Sequence, residues 1–345
     1  MKLISFLFFV STVFVSAQTN FSLPKGEAVL VYSLPKTELC IEVEIEKTTQ
    51  MPGEFYRYSE RYLATDNVIT AESTTFRLKT VKVKTRAVAD PARTYSLLSS
   101  KNLPLNNISV NERGLLRGIN VPMKAAISHK KNEESTDTKQ EISKPLPLTE
   151  ESMLAGSIAK MAEGAAKQIY RIRESRLALL TADVDQFPAD GESFKVMLKG
   201  MNYLEKELTE LFIGKTTSET KTHTIYLTPS DALRNEVLFR VSSLSGLVSA
   251  NDLSGSPYYI NIVPMTIEVH ETSKKDANNA ANRGLYTILP AETQITIGDG
   301  RNTFYAEQMP MPQFGITIPI PEELLKNKDA RIYVHEQTGR LLDIK

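Results

Sequence analysis

Tryptophan is absent from the 345-residue chain, and cysteine occurs once, at Cys40. A single cysteine closes no internal disulfide, so the fold must stand on packing alone. The lack of Trp counts against a carbohydrate site built on large aromatic faces, although 13 Tyr and 13 Phe remain. An excess of one charge is also missing, because 41 Lys+Arg balance 41 Asp+Glu. No net field draws the chain to nucleic acid, which is not expected as a partner. The four histidines, His129, His223, His270 and His335, show no metal-ligand spacing and no HExxH pair. A mononuclear site would have to join His270 and His335, each in a Val-His-Glu triplet at a strand end. No Gly-x-Ser-x-Gly elbow occurs. What is present is ordinary globular composition, 24% charged and 41% hydrophobic, with length for roughly two domains.

The first residues carry the clearest signal. Met1 and Lys2 give a short positive start, Leu3 to Val15 is almost wholly apolar, and Val15-Ser16-Ala17 offers small residues before Gln18. This three-part pattern predicts a secretory signal peptide over 1–17, cut near Ala17. The apolar run is shorter than the about 20 residues a spanning helix needs. The expectation is export to the periplasm or cell surface, with no transmembrane segment in the mature chain. Cys40 lies well past the cut and precedes Glu42, Glu44 and Glu46. An electropositive setting activates a thiol, so Cys40 reads as an inert strand residue.

Leu39 to Lys47 alternates strictly, with Leu39, Ile41, Val43 and Ile45 on one face and Cys40, Glu42, Glu44 and Glu46 on the other. That is a half-buried strand. Phe76 to Arg86 is its complement, but its apolar parity switches near Thr80, which predicts a β-bulge. Lys82, Lys84 and Arg86 should then lie across from the glutamates. Phe55 to Leu63 (FYRYSERYL) fits a short helix whose tyrosines fill core. Ala89 to Arg93 reads as a turn before a strand at Thr94 to Leu98. Ser128 to Pro147 has almost no apolar residues and reads as a flexible linker.

Thr149 to Lys215 is the strongest helical stretch. Leu154, Ile158, Met161, Ala165, Ile169 and Ile172 form one stripe. Phe194, Met197, Met201, Leu204, Leu208 and Leu211 form a second, and DVDQFPADG between them breaks the helix. Gly214 ends the second helix. From Thr222 onward β character returns in a series of short strands, closing with a hairpin about Glu336-Gln337-Thr338-Gly339. The fold class is α+β: a β-rich region over 18–125, a linker over 126–148, an antiparallel helical hairpin over 149–215 and a β-rich region over 216–345.

Three local features invite a functional reading. Gly214-Lys215-Thr216-Thr217 resembles the tail of a phosphate loop, but Thr209 replaces the required glycine and a helix precedes it. Asp183, Asp185, Asp190 and Glu192 crowd the interhelical turn and are the place where a cation would sit. Their spacing is not that of an EF-hand, and Asp190 and Glu192 suit a helix start. Arg173 and Arg176 in IYRIRESR fall at the edge and in the middle of an apolar stripe. A buried guanidinium needs a partner, and Asp183 lies two turns on. The pair reads as a structural ion pair or an anion clamp.

ADPARTY (Ala89 to Tyr95), IYRIRESR with LLTADVDQFPADGES (Ile169 to Ser193), LFRVSSLSGLV (Leu238 to Val248) and the QFG of Gln313 to Gly315 resemble a family of exported Bacteroidetes proteins. That family is a domain of unknown function. The resemblance covers nearly all of the mature chain, implies a Gram-negative envelope location and carries over no catalytic residue. With no reaction centre or cofactor motif in view, the expectation is a non-catalytic envelope protein that binds or scaffolds a protein or cell-envelope partner. The alternative is an exported glycan-active hydrolase or glycan-binding protein using carboxylates and tyrosines.

Overall fold

A computed structural model describes residues 29–98, 108–121, 156–183, 190–266, 285–320 and 331–344, with residues 148, 150 and 154. The expected leader, nearly all of the expected linker, Asp185, His129 and His270 lie outside the described residues.

β1 (Val29–Met51) and β2 (Ser73–Leu98) form a long antiparallel pair. The alternation that predicted a strand at Leu39 places Leu39, Ile41 and Val43 fully inside. The predicted bulge is present: Glu44 faces Thr80 but Ile45 faces Leu78, so Lys79 is the extra residue that resets the parity of β2. The ADPARTY segment departs from its reading as a turn. Ser33 faces Thr94 and Pro35 faces Ala89, so residues 90–93 bulge out opposite Leu34 within one continuous strand.

Between these strands, Tyr56–Tyr58 form a 3-10 turn and α1 (Ser59–Leu63) completes the predicted short helix. Then come β3 (Ile108–Val110), β4 (Leu116–Ile119), α2 (Ile158–Leu180) and α3 (Gly191–Ile213). The chain continues through β5 (Lys215–Leu227), β6 (Leu233–Ser242), β7 (Gly246–Val248) and β8 (Ser256–Pro264). It ends with β9 (Tyr286–Gly298), β10 (Thr303–Pro319), β11 (Ile332–Val334) and β12 (Leu341–Ile344). The α+β class and the helical pair between β-rich stretches hold. Some of the short strands expected after Thr222 are parts of longer ones, since β9 runs unbroken from Tyr286 to Gly298 and β10 from Thr303 to Pro319.

The sheets join the two ends of the chain. One has the order β2-β1-β5, a second β10-β9-β8-β6-β7, and a third β12-β11-β4-β3. The inner faces of the first two meet as a sandwich, with Leu39, Ile41, Val43 and Val81 packed against Phe239, Ile260, Ile262, Ile295 and Ile297. The other half of β1 enters a second core, where Tyr32 and Leu34 meet Ile119, Leu285, Ile288 and Ile332.

A third core fixes the hairpin base. Phe55 of the segment before α1 packs with Ala162, Ala165 and Ile169 of α2 and with Leu208 and Phe212 of α3. The alanines let the helices approach, and the Phe55 and Phe212 rings lie 5.5 Å apart. Helix ends leave carbonyls without intrahelical partners. Here Phe55 N donates to Leu211 O at 2.7 Å and Ile69 N to Ile213 O at 2.9 Å. Gly53 permits this approach, since a Cβ there would strike the Leu211 and Glu210 carbonyls. Gly214, at φ +91°, then turns the chain into β5.

Candidate interaction surface

The outer half of the hairpin leaves the body. In α3 burial is complete only at Leu208 and Phe212, near the C-terminal end. Of the predicted stripe, Met197 and Leu204 remain 43% and 44% exposed, and Val196 beside them is 69% exposed. Leu177 and Leu180 at the end of α2 are also exposed. Gly200 sits between Val196 and Leu204 on α3, and a Cβ built there meets nothing within 4 Å. A mid-helix glycine costs about 1 kcal/mol relative to alanine, and no packing within the described residues explains it. The surface is thus apolar, helical and open to close approach at its centre.

Beside this surface lies the polar joint of the hairpin. Arg173 Nε donates to Glu205 Oε1 at 2.7 Å, Arg176 binds Glu205 Oε2, and Arg176 also donates to Asn202 Oδ1 at 3.0 Å. Both arginines therefore spend their donors on α3 instead of on Asp183, the partner the helical wheel suggested. The wheel shows one helix at a time and cannot display Glu205. Burial pushes the Glu205 carboxyl up, but the hydrogen bonds from Arg173 and Arg176 outweigh it, so the group stays below the usual carboxylate range.

The turn acids are distributed singly. Asp190 caps α3 by accepting from Ser193 N at 2.6 Å, which holds its carboxyl low. Glu192 pairs with Lys195 at 2.7 Å, and Asp183 is exposed at the other helix end. Among the described residues no three His, Cys, Asp or Glu side chains are grouped to hold a metal ion. His335 accepts or donates at Nδ1 to Thr338 Oγ1, 3.0 Å away, inside the hairpin turn. His223 lies in β5, where burial and then Lys221 push its imidazole down. Gly214 and Lys215 run from helix to strand, the reverse of a phosphate loop.

The charged rows of β1 and β2 meet as expected. Lys82 binds Glu44 at 2.7 Å, and Lys84 binds Glu42, each reaching one pair diagonally, while Arg86 with Glu38 and Arg77 with Glu46 face each other directly. Cys40 sits among them, and burial raises its thiol more than Arg86 lowers it.

Two stretches singled out by their distinctive sequence prove to be clamps. Arg93 reaches across to β10 and donates to Pro312 O at 2.9 Å and Gln313 O at 3.0 Å. Gln313 answers by accepting from Thr37 N at 2.9 Å and donating to Thr37 O at 3.0 Å, like an added strand residue on β1. The bulges in β2 and β10 thus lock onto each other across the sandwich. Sequence reasoning missed this lock; its signal was the Pro310-Met311-Pro312 interruption, which marks a bulge.

A polar cup of about 160 Å³ opens on the outer face of the second sheet, lined by Asn235, Tyr259, Asn261, Thr296, Arg301 and Asn302 among others. Asp299 orders its rim by accepting from Arg301 N and Asn302 N at 2.8 and 2.6 Å. The cup was not foreseen, because its residues come from three separate stretches.

No helix among the described residues is long and apolar enough to cross a membrane. Comparison with curated proteins gives no match, and comparison with solved structures gives none either. Comparison with protein families matches residues 28–342 to the domain of unknown function DUF4831, and the chain belongs to that family.

Proposed function

We propose that the protein is an exported, non-catalytic envelope protein that holds a partner protein on the outer half of its helical hairpin. One observation carries the reading: Val196, Met197 and Leu204 form an exposed apolar face around Gly200. An apolar patch on an element that extends from the body marks a contact surface. A partner helix with its own apolar stripe suits it, since glycine lets two helix axes approach. The Glu205 joint keeps α2 and α3 aligned so that this face is held ready. The 1–17 leader supports an envelope location.

A photo-crosslinking residue at position 204, compared with one at Lys199, tests this in intact cells. Discrete crosslinked species from 204 and none from 199 are expected. The same products from both positions would contradict a specific face.

The polar cup favours a second reading, glycan binding. Tyr259 and Arg301 offer side-chain donors with no partner among the described residues. Among the described residues no carboxylate lines the cup, and the nearby Asp299 is committed to its own turn. This supports binding over hydrolysis. Saturation-transfer NMR with envelope oligosaccharides, repeated with Tyr259→Ala, separates it from the hairpin reading.

A further inference from the structure

We propose that the free edge of β5 pairs with the same edge of a second copy of the chain, making a homodimer with a continuous sheet β2-β1-β5-β5-β1-β2. β5 is 13 residues long and, among the described residues, stands at the end of its sheet, hydrogen-bonded to β1 on one side only. Its other edge has no strand partner among the described residues, so its N–H and C=O groups are a template for another strand. Thr216, Ser218, Thr220, Thr222 and Thr224 line its outer face and are exposed. On the opposite face Glu219 and Lys221 are exposed as well, and neither closes an ion pair among the described residues. Glu219 stands across from Lys47 of β1 without pairing with it.

Charges on an edge strand discourage pairing with arbitrary partners. These two select one partner. Two copies related by a two-fold axis normal to the sheet pair antiparallel, each residue matched to one on the same face. Centred on Thr220, the pairing sets Glu219 of each copy opposite Lys221 of the other. Ser218 then faces Thr222, and Thr216 faces Thr224, so the hydroxyl rows meet as cross-strand pairs. A centre at Glu219 or Lys221 stacks like charges, and a centre at Ser218 sets Lys221 against Lys215. A centre at Thr222 leaves Glu219 against Ile225 and Lys221 against His223. Only the Thr220 register satisfies both charges. The pairing edge shares no residue with the hairpin face of Val196, Met197 and Leu204.

Sedimentation of the purified protein tests the proposal. The wild type is expected to dimerise, and Lys221→Glu or Glu219→Lys alone should weaken the dimer by about tenfold or more, since each sets two like-charge pairs face to face. The double variant carrying both reversals should recover the wild-type dimer, and Leu204→Glu should leave it unchanged. Thermal melting of each variant confirms that these exposed substitutions leave the fold intact. A monomeric wild type, a dimer indifferent to the single reversals, or failure of the double reversal to restore it would overturn the proposal.

Discussion

Replacing Glu205 by Gln keeps the size of the side chain and removes the charge that joins the two helices. In the wild type, Glu205 is hydrogen-bonded to both Arg173 and Arg176, and its own side chain is only 16% exposed. A hydrogen bond to a charged group contributes about 1.5–3 kcal/mol when shielded. Arg173 and Arg176 are 42% and 30% exposed, so solvent reduces that figure. About 1 kcal/mol per arginine is a fair magnitude, or about 2 kcal/mol for the joint. The pH dependence has a definite sign. A carboxyl held below its unfolded value stabilises above the unfolded pKa of about 4.3, and the contribution is lost as pH falls through the lower folded value. Urea unfolding should therefore show Glu205→Gln less stable by about 2 kcal/mol near neutral pH, with the gap closing as pH falls through the lowered folded value. Hydrogen exchange should place the loss in α2 and α3. A gap under about 0.5 kcal/mol near neutral pH, or one that persists in acid, would refute the joint as described.

Other outcomes follow from the same structure. Phe212→Ala, at a fully buried position in the hairpin base, should cost about 3–5 kcal/mol in unfolding experiments and expose α3 to proteolysis. Cys40 should resist iodoacetamide at neutral pH in the native protein and react on unfolding, because burial raises its thiol. Arg93→Ala should destabilise the fold by several times more than Lys82→Ala, since Arg93 serves carbonyls of β10 and Lys82 makes one exposed ion pair. N-terminal sequencing of the protein recovered from the envelope should begin at Gln18.

Periodicity made the local elements legible. The alternation from Leu39 and the parity switch at Thr80 gave β1, β2 and their bulge, because a strand period of two is violated visibly by one extra residue. The stripes at Ile158 to Ile172 and Phe194 to Leu211 gave both helices. They did not show that Leu154 and Ile158 of the first stripe, and Met197 and Leu204 of the second, would stay exposed while Ala165, Ile169 and Leu208 are buried, since burial depends on what each turn packs against. Long-range pairing was hidden for a related reason. Nothing near Arg93 points to Pro312, and nothing near Thr37 points to Gln313; these partners are separated by more than two hundred residues and meet only through sandwich geometry. The partner of Arg176 was misplaced because a wheel ranks positions along one helix, while Glu205 lies on its neighbour. Prolines 310 and 312 concealed β10; Pro312 lies in its bulge, and Pro310 stays in register with Glu292 on a strand at the end of its sheet.

Radical footprinting of Met197 and Leu204, with the protein in isolated envelopes and then purified, tests the binding face most directly. Both side chains should be protected in the envelope and reactive once the protein is alone, while Val263 on the outer sheet face reacts equally in the two settings. Equal reactivity of Met197 and Leu204 in both preparations would contradict a partner on the hairpin.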